Sequence, residues 1–149
     1  MVTKKKLVFT HQVQECLSIG IVSPLKDYRL CWFVNKCLEI ELLKIRDVIV
    51  RQPGKKKDNS FARFKYNHPL THSVFYILQN KDAGGFFLSE MKQADYLLFI
   101  KGNYYLEHSN EIMEKLKSVE EIHAVIPIDI TSLKSKHNIL LYDDETERK

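Results

Sequence analysis

The stretch from Ser23 to Lys36 predicts a helix from Pro24 to Leu38, between segments with strand-like patterns, and this order limits the fold more than any other feature. Ser23 suits the N-cap, Pro24 fits the first helical position, which requires no backbone donor, and Asp27 complements the positive helix start. Apolar groups cover most of the circumference of this helix. We therefore expect it to lie buried against a sheet. Replacing a buried Trp32 by alanine would cost roughly 3 to 5 kcal/mol.

Runs of alternating or continuous apolar residues predict the strands of that sheet. The run from Tyr96 to Ile100 is apolar on both sides and predicts a central strand, whereas Pro127 places its strand near an edge. The alternating runs that end at Tyr66 and Gln79 predict neighbouring antiparallel strands. The predicted strands are Leu7 to Thr10, Leu17 to Val22, Ile40 to Val50, Phe61 to Tyr66, Thr71 to Gln79, Tyr96 to Ile100, Ala124 to Ile128 and Ile139 to Leu141.

A second principal helix is predicted from Ser109 to Ser118, where apolar residues recur at intervals of three and four, and a short helix from Thr131 to His137. We predict an α+β domain over residues 1–142, with a mainly antiparallel sheet of about six to eight strands and the two principal helices packed on it. Helices on one face would leave the other face available. Residues 143–149 form a charged tail that we expect to fray.

Composition restricts the cellular setting and the chemistry. A chain of 149 residues can bury a good core without disulfides. The cysteines Cys16, Cys31 and Cys37 are odd in number and form no CxxC pair, which indicates reduced core thiols. Neither a signal peptide nor a membrane-length apolar run is visible, so we expect a soluble cytoplasmic protein. A net charge of +4 permits an anionic partner without requiring one.

Two blocks, LKDYRLCWFVNK from Leu25 and LSEMKQADYLLFI from Leu88, resemble the small uncharacterised bacterial family called IPExxxVDY. The motif that names the family corresponds here to Leu88, Ser89 and Glu90, then Met91, Lys92 and Gln93 as the variable three, then Ala94, Asp95 and Tyr96. Leucine, serine and alanine replace Ile, Pro and Val, while the acidic and tyrosine positions are kept. The family has no agreed biochemical function, so the resemblance implies none.

The motif residues suggest a structural cluster more than a catalytic one. We predict that Arg29 contacts Asp95 or Glu90 and so ties the helix to the loop before the central strand. Two alternatives remain open, an acid and base pair formed by Glu90 and Asp95, and a recognition groove lined by the same positions. The complete cluster is Asp27, Tyr28, Arg29, Glu90, Asp95 and Tyr96.

A basic hairpin loop is the best local candidate for an interaction. Its lysines lie at the tip between two predicted strands, and a ring exposed beside them would stack on a base while the charges follow a phosphate backbone. The alternative is that these lysines only keep the loop soluble. The candidate anion-binding residues are Arg51, Lys55, Lys56, Lys57, Phe61, Arg63 and Lys65.

Signals for enzymatic chemistry are weak. His68 and His72 are separated by Pro69 in a strand and turn region, which argues against metal binding, and no GxSxG or phosphate-loop pattern is present. We therefore predict no cofactor, no metal and no catalytic residue. The leading interpretation is a non-enzymatic binding or adaptor module with an unknown protein partner. An RNA-binding or ribosome-associated role is the first alternative, an enzyme the second, and the oligomeric state is open.

Overall fold

A computed structural model describes residues 16–51, 54 and 56–133 of the chain. The predicted strands at Leu7 to Thr10 and Ile139 to Leu141, and the charged tail, lie outside the described residues. Most of the helix predicted from Thr131 to His137 also lies outside them. Its described residues Thr131 and Ser132 end the one-turn 3-10 helix Ile130–Ser132.

The described chain contains eight strands and three α-helices in this order. The strands are β1 (Cys16–Val22), β2 (Leu43–Val50), β3 (Asn59–Asn67), β4 (Val74–Gln79), β5 (Lys81–Asp82), β6 (Gly85–Phe86), β7 (Tyr96–Lys101) and β8 (Ala124–Pro127). The helices are α1 (Asp27–Leu38), α2 (Asn103–Glu107) and α3 (Ser109–Lys117), and single 3-10 turns occur at Ser89–Met91 and Ile130–Ser132.

Six of these strands form one sheet in the order β2, β3, β4, β7, β1, β8, and every neighbouring pair is antiparallel. The remaining two, β5 and β6, form a small separate hairpin. The predicted α+β class is confirmed. The central position of β7 and the edge position of the strand that ends at Pro127 are also as predicted.

The sheet is buried on both faces. Along β7, Leu98 and Ile100 face the core beneath the helices, while Leu97 and Phe99 face a second core on the opposite side. The second core is closed by residues that follow β6 and by the end of the described chain, with Phe87, Leu88, Met91, Ala94 and Ile130 among its members. The expectation that one face would be left available is therefore wrong, because the segment between β6 and β7 folds over it.

Helix α1 begins later in the chain than the sequence predicts, and a different side of it faces the sheet. Its first residue is Asp27, and Lys26 occupies the N-cap without a side-chain capping bond. Ser23 instead lies buried in the turn before the helix, where its Oγ accepts from the Leu25 N–H. The side of α1 that faces the sheet carries Leu30, Cys31, Val34 and Leu38. Trp32 lies on the opposite side and is 53% exposed, so its predicted burial is wrong.

None of the helices in the described part of the chain has the length and apolar character needed to cross a bilayer.

Candidate functional site

The segment from Leu88 to Ala94 is held on the sheet by one buried asparagine. The Asn80 side chain donates from Nδ2 to the carbonyls of Met91 (2.9 Å) and Ala94 (3.0 Å), and its Oδ1 accepts from the Leu88 N–H (2.8 Å). Its backbone N–H donates to the Asp95 carbonyl, and its carbonyl accepts from the Phe87 N–H, both at 2.9 Å. Asn80 is fully buried, so these bonds replace water for every polar group that it carries.

Close packing of side chains on Gly20 accompanies this arrangement. A Cβ atom added to Gly20 in β1 would lie 3.1 Å from the Ala94 Cβ, which is tighter than most real contacts of this kind. The absence of a side chain on Gly20 thus allows the Ala94 methyl group to pack on β1, next to the point where the Asp95 N–H donates to the Ile21 carbonyl. A larger residue at position 20 would push the segment away from the sheet.

Asp95 links three parts of the chain. Its Oδ1 lies 2.8 Å from the Lys81 Nζ in an ion pair, and its Oδ2 accepts from the Ser23 N–H at 2.8 Å. The Ser23 hydroxyl in turn donates to the Glu121 carbonyl at 2.8 Å. The carboxylate therefore fixes the turn before α1 to the start of β7 and to the β5–β6 hairpin. The acidic residue at this position therefore has a structural role, because both of its carboxylate oxygens are bonded to groups within the fold.

Tyr96 also serves as a structural donor. Its hydroxyl donates to the Leu25 carbonyl at 2.6 Å and so ties the central strand to the entry of α1. Burial, followed by the nearby charges of Asp27 and Asp95, raises the pKa of Tyr96 far above its ordinary value. A phenol in that environment stays protonated at neutral pH and keeps donating.

The rest of the predicted motif cluster does not come together. Arg29 is exposed, its guanidinium lies 5.4 Å from the centre of the Phe33 ring, and among the described residues it makes no ion pair with Glu90 or Asp95. The predicted contact is therefore wrong, because Lys81 occupies the position opposite Asp95. Glu90 lies exposed on the 3-10 turn Ser89–Met91. Tyr28 is exposed on α1, and Asp27 lies half-buried at the helix start.

The basic hairpin loop has exposed lysines, but the aromatic ring predicted to be exposed beside them is buried. Phe61 is fully buried and packs edge-to-face on Phe87 with 5.6 Å between ring centres. Arg63 is buried too, and its Nε donates to the Arg46 carbonyl at 2.9 Å. The predicted exposed ring with Arg63 beside it is therefore wrong, because this face of β3 points into the second core.

Other members of the predicted anion-binding set remain accessible. Lys56 and Lys57 are exposed, and the Arg51 guanidinium lies 3.9 Å from the Asp58 carboxylate on the surface. Lys65 is half-buried, with its ammonium 5.5 Å from the centre of the Tyr76 ring. Lys55 lies outside the described residues. What is left is a short cluster of solvated cations without an aromatic platform.

Cys31, Cys37 and His68 show no sign of activation as reactive groups. Burial raises the pKa of the Cys31 thiol to about 12 and that of Cys37 to about 11, the latter although Lys115 acts in the opposite direction. Thiols with such values are protonated at neutral pH and are poor nucleophiles. His68 uses its Nδ1 to accept from the backbone of Leu70 and Thr71. Over the ranges that the structure describes, no three His, Cys, Asp or Glu side chains are grouped to hold a metal ion.

Two large aromatic side chains remain uncovered on the solvent-facing side of α1. Tyr28 is 67% exposed and Trp32 is 53% exposed. The Trp32 ring packs edge-to-face on Phe33 with 5.0 Å between centres, and the Lys36 ammonium lies 5.0 Å above the Trp32 ring. We call this surface the outer face of α1 and define it by Tyr28, Arg29, Trp32, Phe33 and Lys36.

These neighbours also restrain one another. Tyr28 contacts the Phe64 ring of β3 edge-to-face at 5.6 Å, which fixes one end of the face to the sheet. Cations over aromatic rings are attracted by about 0.5 to 1 kcal/mol at exposed sites, so Arg29 and Lys36 hold Phe33 and Trp32 in place. Aromatic side chains that are already ordered lose less entropy when a partner covers them.

Comparison of the sequence with models of known families and with curated proteins finds no match. The resemblance to the IPExxxVDY family therefore stays a prediction.

Proposed function

We propose that the protein is a non-enzymatic, cytoplasmic protein-binding module and that the outer face of α1 is its contact surface. One observation carries this proposal: the single tryptophan of the chain is half-exposed on a helix. Tryptophan, tyrosine and arginine are the residues that most often dominate the energy of protein interfaces. All three occur together on the outer face of α1.

Covering the two rings of this face would supply part of the energy of a specific contact. Covering the remaining exposed area of Trp32, roughly 100 Å² at about 25 cal/mol per Å², contributes about 2.5 kcal/mol, and Tyr28 adds a comparable amount. Arg29 and Lys36 lie beside the rings and add positive charge to the surface. Such a composition, with aromatic residues between basic ones, is typical of the enriched part of an interface.

The motif residues support a non-catalytic role. The polar atoms of Asp95, Tyr96 and Asn80 form hydrogen bonds or an ion pair with backbone and side-chain groups within the fold. We propose that membership of the IPExxxVDY family would reflect this shared scaffold, in which the segment from Leu88 to Tyr96 closes the second core. Under this proposal the scaffold positions the outer face of α1, and the motif residues themselves do not contact the partner.

Affinity capture with matched variants tests the proposed function. The tagged full chain is expected to retain a partner from its own cells, and Trp32→Ala is expected to lose it because the central ring of the contact is removed. Ile49→Ala is the matched control, since Ile49 is 54% exposed on β2, away from α1. Equal retention by the two variants, with both folded, would contradict the proposed surface.

The RNA-binding alternative can be tested with the same purified protein by measuring whether it retains nucleic acid. Lys56, Lys57 and Arg51 remain exposed, but the burial of Phe61 and Arg63 removes the groups that would have read or stacked on bases. Phosphate binding weakens steeply with salt, whereas a largely apolar contact does not. Retention of nucleic acid that is lost as the salt concentration rises, and that persists in Trp32→Ala, would favour the alternative.

A further inference from the structure

The outer face of α1 is bordered by charges of opposite sign at its two ends. Arg29 lies in the first turn, and Glu39 forms the C-cap one turn beyond Lys36. Both side chains are exposed, and neither forms an ion pair with another described residue. The outer face has a cation in its first turn, rings and a second cation, Lys36, further along, and an anion at its end. When a second copy is turned end for end, the terminal cation and anion of each copy face opposite charges.

We infer that the partner that covers the outer face of α1 is a second copy of this chain, with the two α1 helices antiparallel about a two-fold axis. This inference rests on the proposed function, because it names the partner of that same surface. With the axis level with Val34, Arg29 of each copy faces Glu39 of the other. In the same register Trp32 faces Lys36 of the second copy, so each contact is made twice.

The spacing of the groups fits this arrangement. Arg29 and Glu39 are ten residues apart, which is roughly 15 Å along a helix, so the two reciprocal ion pairs flank a central aromatic region of about that length. The Lys36 ammonium already lies 5.0 Å above the Trp32 ring within one copy. In the pair it lies between its own Trp32 and that of the second copy. Such an isologous contact closes on itself and does not propagate into fibres.

The contact should be of moderate strength. One helix from each copy provides an interface at the small end of the range for specific complexes, so we expect dissociation in the micromolar range. Sedimentation of the full chain should therefore be followed from about 1 μM to about 500 μM, which brackets that range. The expected result is a reversible conversion from monomer to dimer, without larger species.

Charge reversal provides the decisive variants. Arg29→Glu alone and Glu39→Arg alone each place like charges opposite one another twice and are expected to weaken self-association by at least about tenfold. The double variant restores opposite charges at both positions and is expected to recover most of the wild-type dissociation constant. Trp32→Ala is expected to remain monomeric, while the exposed control Ile49→Ala dimerises like the wild type. Circular dichroism verifies that each variant is folded.

The outcomes separate this inference from the proposed function. A wild-type chain that stays monomeric throughout the series overturns the inference, as does a double variant that associates no more tightly than either single variant. If the wild-type chain is monomeric but captures a protein that Trp32→Ala does not, the inference of a second copy as partner is wrong and the proposed surface stands. If it is monomeric and capture does not depend on Trp32, both proposals fail.

Discussion

Replacement of Asn80 by leucine is expected to destabilise the protein by at least about 4 kcal/mol. The substitution strands the carbonyls of Met91 and Ala94 and the N–H of Leu88 in a buried environment. Each buried group that loses its partner costs about 1 to 3 kcal/mol, and the total approaches the entire stability of a typical domain. Urea unfolding measures the change, and hydrogen exchange of the Leu88 amide reports whether the segment has detached.

Asn80→Asp is the matched variant, because it keeps the volume of the side chain and changes only its hydrogen bonding. At neutral pH it places a carboxylate oxygen against two carbonyl oxygens, so it should cost about as much as the leucine variant. Burial raises the pKa of such a carboxyl group in the folded state, and the lost stability should therefore partly return as the pH falls. An aspartate variant within about 1 kcal/mol of the wild type at pH 7 would contradict the role given to Asn80.

Replacement of Phe99 by alanine is expected to cost about 3 to 5 kcal/mol, as much as the corresponding change of Leu98 on the opposite face of β7. Both side chains are fully buried, Phe99 in the second core and Leu98 in the core beneath the helices. The loss of the ring combines reduced apolar burial with the cavity that remains. Paired urea unfolding curves of the two variants test whether the sheet has two cores of similar importance.

Leu43→Ala provides the reference for an apolar side chain at the surface, since Leu43 is 66% exposed on the edge strand β2. Its effect should stay within about 0.5 kcal/mol. If Phe99→Ala behaved like Leu43→Ala, the second face would be open to solvent in the folded protein, as the sequence had suggested. The closure of this face by residues Phe87 to Ala94 would then be incorrect.

The strands and helix α3 could be predicted because their patterns are local. Alternation along β3 and β4 and the continuous apolar run of β7 follow directly from which faces are buried. The outward orientation of Trp32 could not be predicted. Apolar residues surround α1 on nearly all sides, and only the tertiary fold selects the side with Leu30 and Val34 for the core.

The polar contacts depended on residues that are distant in sequence. Asn80 lies in a run of turn residues and resembles any other turn asparagine until the segment from Leu88 to Ala94 folds over it. The sequence offers both Arg29 and Lys81 as cations that could pair with Asp95, and the fold places Lys81, in the β5–β6 hairpin, beside it. Likewise, alternation placed Phe61 and Arg63 on one face correctly, but it could not show that this face is covered.

Quenching of the fluorescence of Trp32 tests the central claim most directly, because this is the only tryptophan of the chain. In dilute, folded protein acrylamide should quench Trp32 readily, since half of its surface is exposed on the outer face of α1. At high concentration the quenching should decrease as the second copy covers the ring. A Trp32 that is shielded from acrylamide even in dilute protein would show that the ring is covered within its own fold and would contradict the account.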